Sequence, residues 1–275
     1  MRYLRALWRL SNVAYLLAGL VIDLLLRAPE SARDRSERAH RFCIRVVRAL
    51  GIKWRADGSV IAKGAVVANH LSYLDILLFA AAHPFVMVAK SDVAGWPLIG
   101  WITRRLGAIF VVRGGGPASY PAVNRAMAEA FRSGYPVLFF PEGTTTDGSY
   151  LLPFRRGLLH SVLDEKVSLQ TAALQYSNPK ACWWGDDTLV PHLVELACMD
   201  GLQAELRFGA VVEARRDRFE LAENARRQVG EILDTLASGA VVSEQQSVMI
   251  QPLEDLLDRP VEGIRAFDNN RRVLG

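Results

Sequence analysis

Two short stretches of the chain hold the residue types that acid–base chemistry uses. The first reads Asn69-His70-Leu71-Ser72-Tyr73-Leu74-Asp75. An imidazole titrates at about 6.5 by reference, close to working pH, so His70 can take a proton from a weak nucleophile and return it. Asp75 can accept a hydrogen bond from the other ring nitrogen, which fixes the tautomer and stabilises the imidazolium. The same residues also have a plainer reading. His70 then satisfies a turn, and Ser72 with Asp75 forms an S-x-x-D helix cap. The second stretch is Phe140-Pro141-Glu142-Gly143-Thr144. Pro141 and Gly143 suit an ordinary β-turn. Its functional reading is a carboxylate and a hydroxyl beside the first stretch, with Glu142 bonding substrate hydroxyls or orienting backbone amides.

Positioning these groups requires strands that end together. Apolar β-type runs occur at residues 65–68, 85–89, 108–112, 136–140, 168–174 and 204–212. Helical patterns fall at 73–82, 97–106, 118–132, 187–197 and 221–236. Continuous apolar strands separated by helices predict an α/β fold, a mostly parallel central sheet with helices on both faces. His70 and Glu142 each follow a strand, at the sheet edge where such folds place their ligands. Residues 52–55 and 60–62 flank Asp57-Gly58, a hairpin signal. Gly114-Gly115-Gly116-Pro117 reads as a joint or mobile loop, and no internal repeat is visible.

Composition narrows the class. The 275 residues are 51% hydrophobic and 23% charged, enough for one large core and unlike disordered or collagen-like chains. The net charge is +4, and only five of the 33 basic residues are lysines. Three cysteines, Cys43, Cys182 and Cys198, lack C-x-x-C spacing, which excludes a disulfide framework or cysteine zinc site and suits a reducing compartment. No H-E-x-x-H or P-loop spacing occurs, and no metal is expected.

Residues 10–22 run without a charge between Arg9 and Asp23. As a helix they cover roughly 20 Å, short of a hydrocarbon core of ~30 Å. Arg2, Arg5 and Arg9 resemble the basic start of a signal peptide, but no A-x-A cleavage site follows. The expectation is a shallow or re-entrant membrane anchor. On a helical wheel Arg38, Arg41, Arg45 and Arg48 share one stripe, with Phe42, Cys43, Val46 and Val47 on an apolar face. That division suits a helix lying among lipid headgroups, arginines on phosphates and Phe42 with Val46 in the acyl boundary. An ordinary surface helix docked on the core has the same pattern. No aromatic platform accompanies the basic stripe, so nucleic acid is not an expected partner. The organisation expected is an N-terminal helical membrane-anchoring segment over 1–50, a catalytic domain over 51–238 and a peripheral tail over 239–275.

Taken together, N-H-x-x-x-x-D and F-P-E-G-T, about seventy residues apart, resemble the glycerolipid acyltransferase family. Between them Gly107-Ala108-Ile109-Phe110-Val111-Val112-Arg113 is similar to the family's G-x-x-F-x-x-R block, and the apolar strand 169–174 stands where the last block falls. The resemblance covers roughly residues 50–215. It implies transfer of an acyl chain from acyl carrier protein or coenzyme A, as co-substrate, to a lysolipid hydroxyl. It makes His70 the base and Asp75 its partner, and places Arg113 and Glu142 in the acceptor site. Asn69, Ser72, Phe110, Gly143 and Thr144 complete the expected substrate-binding set. It also implies a peripheral or monotopic protein at the cytoplasmic face of a bacterial inner membrane, with membrane lipids as partners and no separate cofactor.

One departure concerns the acceptor. Lysophosphatidate acyltransferases usually carry arginine after F-P-E-G-T, where this chain has Thr145. Threonine cannot make a guanidinium's bidentate contact with phosphate. Lys90, Arg155 and Arg156 are candidate substitutes. The E-G-T-T-x-D-G form resembles the branch acting on lyso-ornithine lipid, whose acceptor lacks phosphate. Lysophosphatidate is the family default and lyso-ornithine lipid its rival. A thioesterase or lipase is disfavoured because no G-x-S-x-G occurs. A non-catalytic membrane-surface protein is the alternative from another class.

Overall fold

The computed structural model describes residues 1–112, 120–212 and 217–238. Arg113, the Gly114–Pro117 joint and the 239–275 tail lie outside the described residues. In chain order the elements are α1 (Arg2–Leu26), α2 (Ala32–Ala49), β1 (Lys53–Asp57), β2 (Ala65–Ala68), α3 (Leu74–Ala82), β3 (Val86–Lys90), α4 (Ser91–Ala94) and α5 (Ile99–Arg105). There follow β4 (Ile109–Val111), α6 (Tyr120–Phe131), β5 (Val137–Phe139), α7 (Leu159–Asp164), β6 (Leu169–Tyr176), α8 (Leu189–Cys198), β7 (Gln203–Val212) and α9 (Arg218–Ala237). The strands form one sheet in the order β1-β7-β6-β2-β5-β3-β4. Neighbours run parallel except β6 and β7, so the expected mostly parallel α/β sheet is present.

Alternation along the central strands divides the interior into two layers, because successive side chains of a strand point to opposite faces. Val66, Ala68, Leu138, Ala172 and Leu174 join the cluster under α2 and α3. Ala65, Val67, Val137, Phe139, Leu169 and Ala173 join the cluster under α6, α7 and α9. Burial on both faces is why these strands read as unbroken apolar runs.

The hairpin expected around Asp57-Gly58 does not form. β1 pairs in parallel with β7, and residues 60–62 are not a strand. Ile61 N–H instead donates to Gln170 Oε1, and Gln170 Nε2 donates to the Ser59 carbonyl. Gly58 is needed for close approach rather than for a tight turn. Its φ is +87°, and a Cβ there would stand 2.3 Å from the Phe208 carbonyl oxygen.

The two N-terminal helices behave differently from each other. α2 is the docked helix of the plainer reading: Val46 and Val47 are core residues, and Phe42 packs against them. Its arginine stripe is partly consumed, since Arg38 pairs with Asp23 at 2.7 Å and Asp34 at 2.8 Å. The expected placement of Phe42 and Val46 among acyl chains is therefore corrected. Burying each such side chain in the core is worth roughly 1.5–3 kcal/mol, which holds α2 on the body. α1 is long and apolar enough to cross a membrane. Its inner face buries Ala6, Leu20 and Leu24, and Arg9 donates to the Ala197 and Met199 carbonyls. Its outer face leaves Leu4 71% and Trp8 70% exposed, along with Leu7, Tyr15, Ile22 and Leu26.

Candidate active site

Strand register brings the two chemistry-bearing stretches together. β2 and β5 are parallel neighbours with Val67 opposite Phe139. His70 lies three residues past Val67 and Glu142 three past Phe139, so both loops leave the sheet at one level. Glu142 Oε1 accepts the His70 main-chain N–H at 2.7 Å, and the Thr146 N–H donates to the His70 carbonyl at 3.1 Å.

His70 Nδ1 lies 2.8 Å from Asp75 Oδ2, and Asp75 is fully buried. A carboxylate only accepts, so in the neutral ring Nδ1 carries the proton and Nε2 presents a lone pair. The same Oδ2 accepts the N–H groups of Leu71 at 2.6 Å and Ser72 at 2.9 Å. Asp75 therefore ties down the two amides that precede α3 and orients the imidazole at once, whereas the side-chain cap expected from Ser72 does not form. The His70 ring stacks on Phe140, centroids 4.1 Å apart and planes 8° from parallel. Its side chain is 10% exposed. A ring held by stacking and by a hydrogen-bonded nitrogen has little rotational freedom left.

The remaining expected substrate contacts divide. Glu142 is 2% exposed and spends its second oxygen on the Leu152 N–H at 3.0 Å. Of its two readings, the geometry is that of a carboxylate orienting backbone amides, not one facing a substrate hydroxyl. Burial raises its pKa, and the amides of Leu152 and His70 oppose the rise by favouring the charge. Asn69 is also buried. Its side-chain amide donates to the Leu174 carbonyl and accepts the Leu174 N–H, both at 2.9 Å. Expected as a substrate contact, it instead clamps β6 against the end of β2. Ser72 is fully buried, and its Oγ has no partner among the described residues.

Gly143 takes φ +76°, and a Cβ there would stand 2.5 Å from Arg155 Nε, so glycine lets the arginine cross the loop. Thr144 is exposed and Thr145 half-buried, directly before the residue whose amide holds the His70 carbonyl. Phe110 is not brought to the pair. It lies on β4, the sheet edge three strand positions from β2, or roughly 14 Å at the usual strand spacing.

Sequence reasoning did not flag two contributors. Tyr176 donates its hydroxyl to Asp75 Oδ1 at 2.7 Å. Arg226, on α9, donates to the carbonyls of Leu151 and Leu152 at 2.9 and 3.1 Å, steadying the strap whose amide caps Glu142. Each lies many tens of residues from its target, and only the period-two facing of β6 hinted at the tyrosine. Beside the Pro141–Gly143 loop opens a cleft of about 970 Å³ lined by Arg155, Arg156, His160, Arg218 and Phe219 among others. Among the described residues no cluster of His, Cys, Asp and Glu fits a metal ion. A buried imidazole–carboxylate pair with a free Nε2 at a strand's end can deprotonate a hydroxyl.

Comparison with known proteins gives the family and the fold. Residues 57–175 match the family model described as Acyltransferase, a span that holds every one of the residues bonded to His70. The chain is 32% identical to the lyso-ornithine lipid O-acyltransferase of Pseudomonas aeruginosa over 233 residues, 78% of this chain and 90% of that one. It is also 32% identical to the enzyme of that name from Rhodobacter capsulatus, covering 66% of this chain and 71% of the relative. A 1-acyl-sn-glycerol-3-phosphate acyltransferase of Neisseria gonorrhoeae is 30% identical over 64% of this chain and 71% of its own. In fold, the crystal structure of the 1-acyl-sn-glycerophosphate acyltransferase PlsC from Thermotoga maritima superposes with a TM-score of 0.62 at 20% identity, over 89% of this chain and all of that one. The sheet, the paired loops and these relatives together place the chain in the acyltransferase family.

Proposed function

We propose that this protein moves a fatty acyl chain from a thioester, acyl carrier protein or coenzyme A, to the hydroxyl of a lysolipid. The observation that carries the reading is the His70–Asp75 pair, whose contact through Nδ1 leaves Nε2 as the ring's other proton-accepting atom. Nε2 takes the proton of the acceptor hydroxyl as its oxygen attacks the thioester carbonyl carbon. The tetrahedral intermediate collapses, the carbon–sulfur bond breaks, and the imidazolium returns its proton to the leaving thiolate. The products are an ester and a thiol. Asp75 stabilises the imidazolium in between, and base catalysis of this kind contributes ~10²–10⁴-fold. Glu142 and Asn69 act indirectly, by fixing the loops that carry His70.

For the acceptor, the reading favoured is a lysolipid without a phosphate monoester, of the lyso-ornithine type. Thr145 supports it, because a threonine stands in the loop that touches the His70 carbonyl, and so do the Pseudomonas and Rhodobacter relatives. Lysophosphatidate is the second reading, supported by the Neisseria relative and by the arginines of the neighbouring cleft. The exposed apolar face of α1 supports attachment to the membrane surface, with the helix lying along the body. An enzyme so placed meets its acceptor without extracting a whole lipid. The test is a matrix of labelled acyl-carrier-protein and acyl-coenzyme A donors against phosphate-bearing and phosphate-free lysolipids. Turnover of the phosphate-free acceptor is expected to dominate. A clear preference for lysophosphatidate reverses the acceptor assignment, and no turnover with any pair removes the reading.

A further inference from the structure

The Asp75 carboxylate is divided between two kinds of donor. Oδ2 takes His70 Nδ1 and the amides of Leu71 and Ser72, whereas Oδ1 takes the hydroxyl of Tyr176. Tyr176 is the last residue of β6, two past Leu174 on the same face of the strand. The Asn69 side chain bonds the Leu174 backbone through both its N–H and its carbonyl, which sets how far β6 runs past β2. That register delivers the phenol to the side of Asp75 away from His70.

We infer that Tyr176 is a positioning residue for the reaction, setting both the orientation of the Asp75 carboxylate and its strength as partner to the His70 imidazole. The inference rests on reading His70 as the base. A hydrogen bond to Oδ1 draws negative charge from the carboxylate and prevents it from turning about its Cβ–Cγ bond. Burial and the nearby carboxylate hold the phenol well above its ordinary value, so it stays protonated and donates. The other titratable groups around the pair are Glu142, Tyr73 and Cys182. Burial raises the Tyr73 phenol too, and pushes the Cys182 thiol up to about 12, so both stay neutral across the working range. Glu142 adds a like charge, fixed on its two amides.

The experiment is the pH profile of kcat/KM for three proteins: Tyr176→Phe, the full chain with 3-fluorotyrosine incorporated at position 176, and His70→Ala. Without the hydroxyl donor, Asp75 becomes a stronger partner for the imidazolium. The acidic limb then moves to higher pH by about one pH unit, with kcat down about tenfold and the acceptor KM within about twofold. Fluorine makes the phenol a stronger donor and moves the limb the opposite way. The fluorinated protein keeps the hydroxyl, so it reads the effect even if the phenylalanine variant folds poorly. Limbs unmoved in the folded variants, with His70→Ala inactive, overturn the role of Tyr176 alone. Wild-type turnover by His70→Ala overturns the base reading and this inference with it.

Discussion

Glu142 Oε1 holds the main-chain N–H of His70 at 2.7 Å, reaching from the end of β5 to the end of β2. The contact joins the two stretches that stand out in the sequence, but it does so through backbone. The conspicuous carboxylate of F-P-E-G-T bonds the backbone of both loops, and the imidazole it steadies is held by Asp75 and Phe140.

Replacing that carboxylate by an amide tests the arrangement. Glu142→Gln keeps one carbonyl oxygen but sets an NH₂ against one of two amide donors, leaving that donor unsatisfied. We expect a loss of about 1–3 kcal/mol of stability in urea titrations, with kcat falling more than acceptor KM rises. Unchanged stability would show that the two amide contacts contribute little.

Acid should loosen the α2–α3 contact. Burial holds His40 and His83 below the usual imidazole value, although each Nδ1–H donates to a carbonyl, of Ala80 and Pro84 respectively. The unfolded chain then binds more protons as pH falls through about 6.5, so stability is full above that value and declines below it. Tm measured across this range should drop on acidification, and His40→Gln, which can still donate to Ala80, should flatten the drop. A Tm that rises as pH falls would contradict the sign.

Thr145 offers a handle on acceptor choice. Thr145→Arg introduces a guanidinium beside the loop that contacts His70 and should raise the ratio of lysophosphatidate to phosphate-free turnover by about tenfold. Competition assays with both acceptors present measure the ratio directly. No change would place the headgroup elsewhere, with the arginines of the neighbouring cleft next to be replaced.

Membrane contact should separate the two N-terminal helices. The double variant Leu4→Asp with Trp8→Asp puts charge on the exposed face of α1 and should release the protein from vesicles in flotation assays, leaving its Tm nearly unchanged. Val46→Asp buries a charge in the core and should instead unfold the protein.

What could be read from sequence follows from which forces are local. The apolar runs at β2, β5 and β6 and the helices between them are legible because burial on both faces shows in residue type alone. The α2 arginines were ambiguous because their fate depends on Asp23, which belongs to another helix. Gly58 read as a turn because its close contact, Phe208, is distant in sequence. At the site, His70 and Asp75 share one helix start and so carry their spacing openly. Tyr176 and Arg226 act across the fold, where register and helix packing decide who meets whom.

The most direct measurement is the initial rate of acyl transfer from a thioester donor to a lysolipid by His70→Ala, isolated folded and bound to vesicles. Removal of the imidazole should lower turnover by about 10²–10⁴-fold while binding to the vesicles is unchanged. Turnover at the wild-type rate would contradict the account.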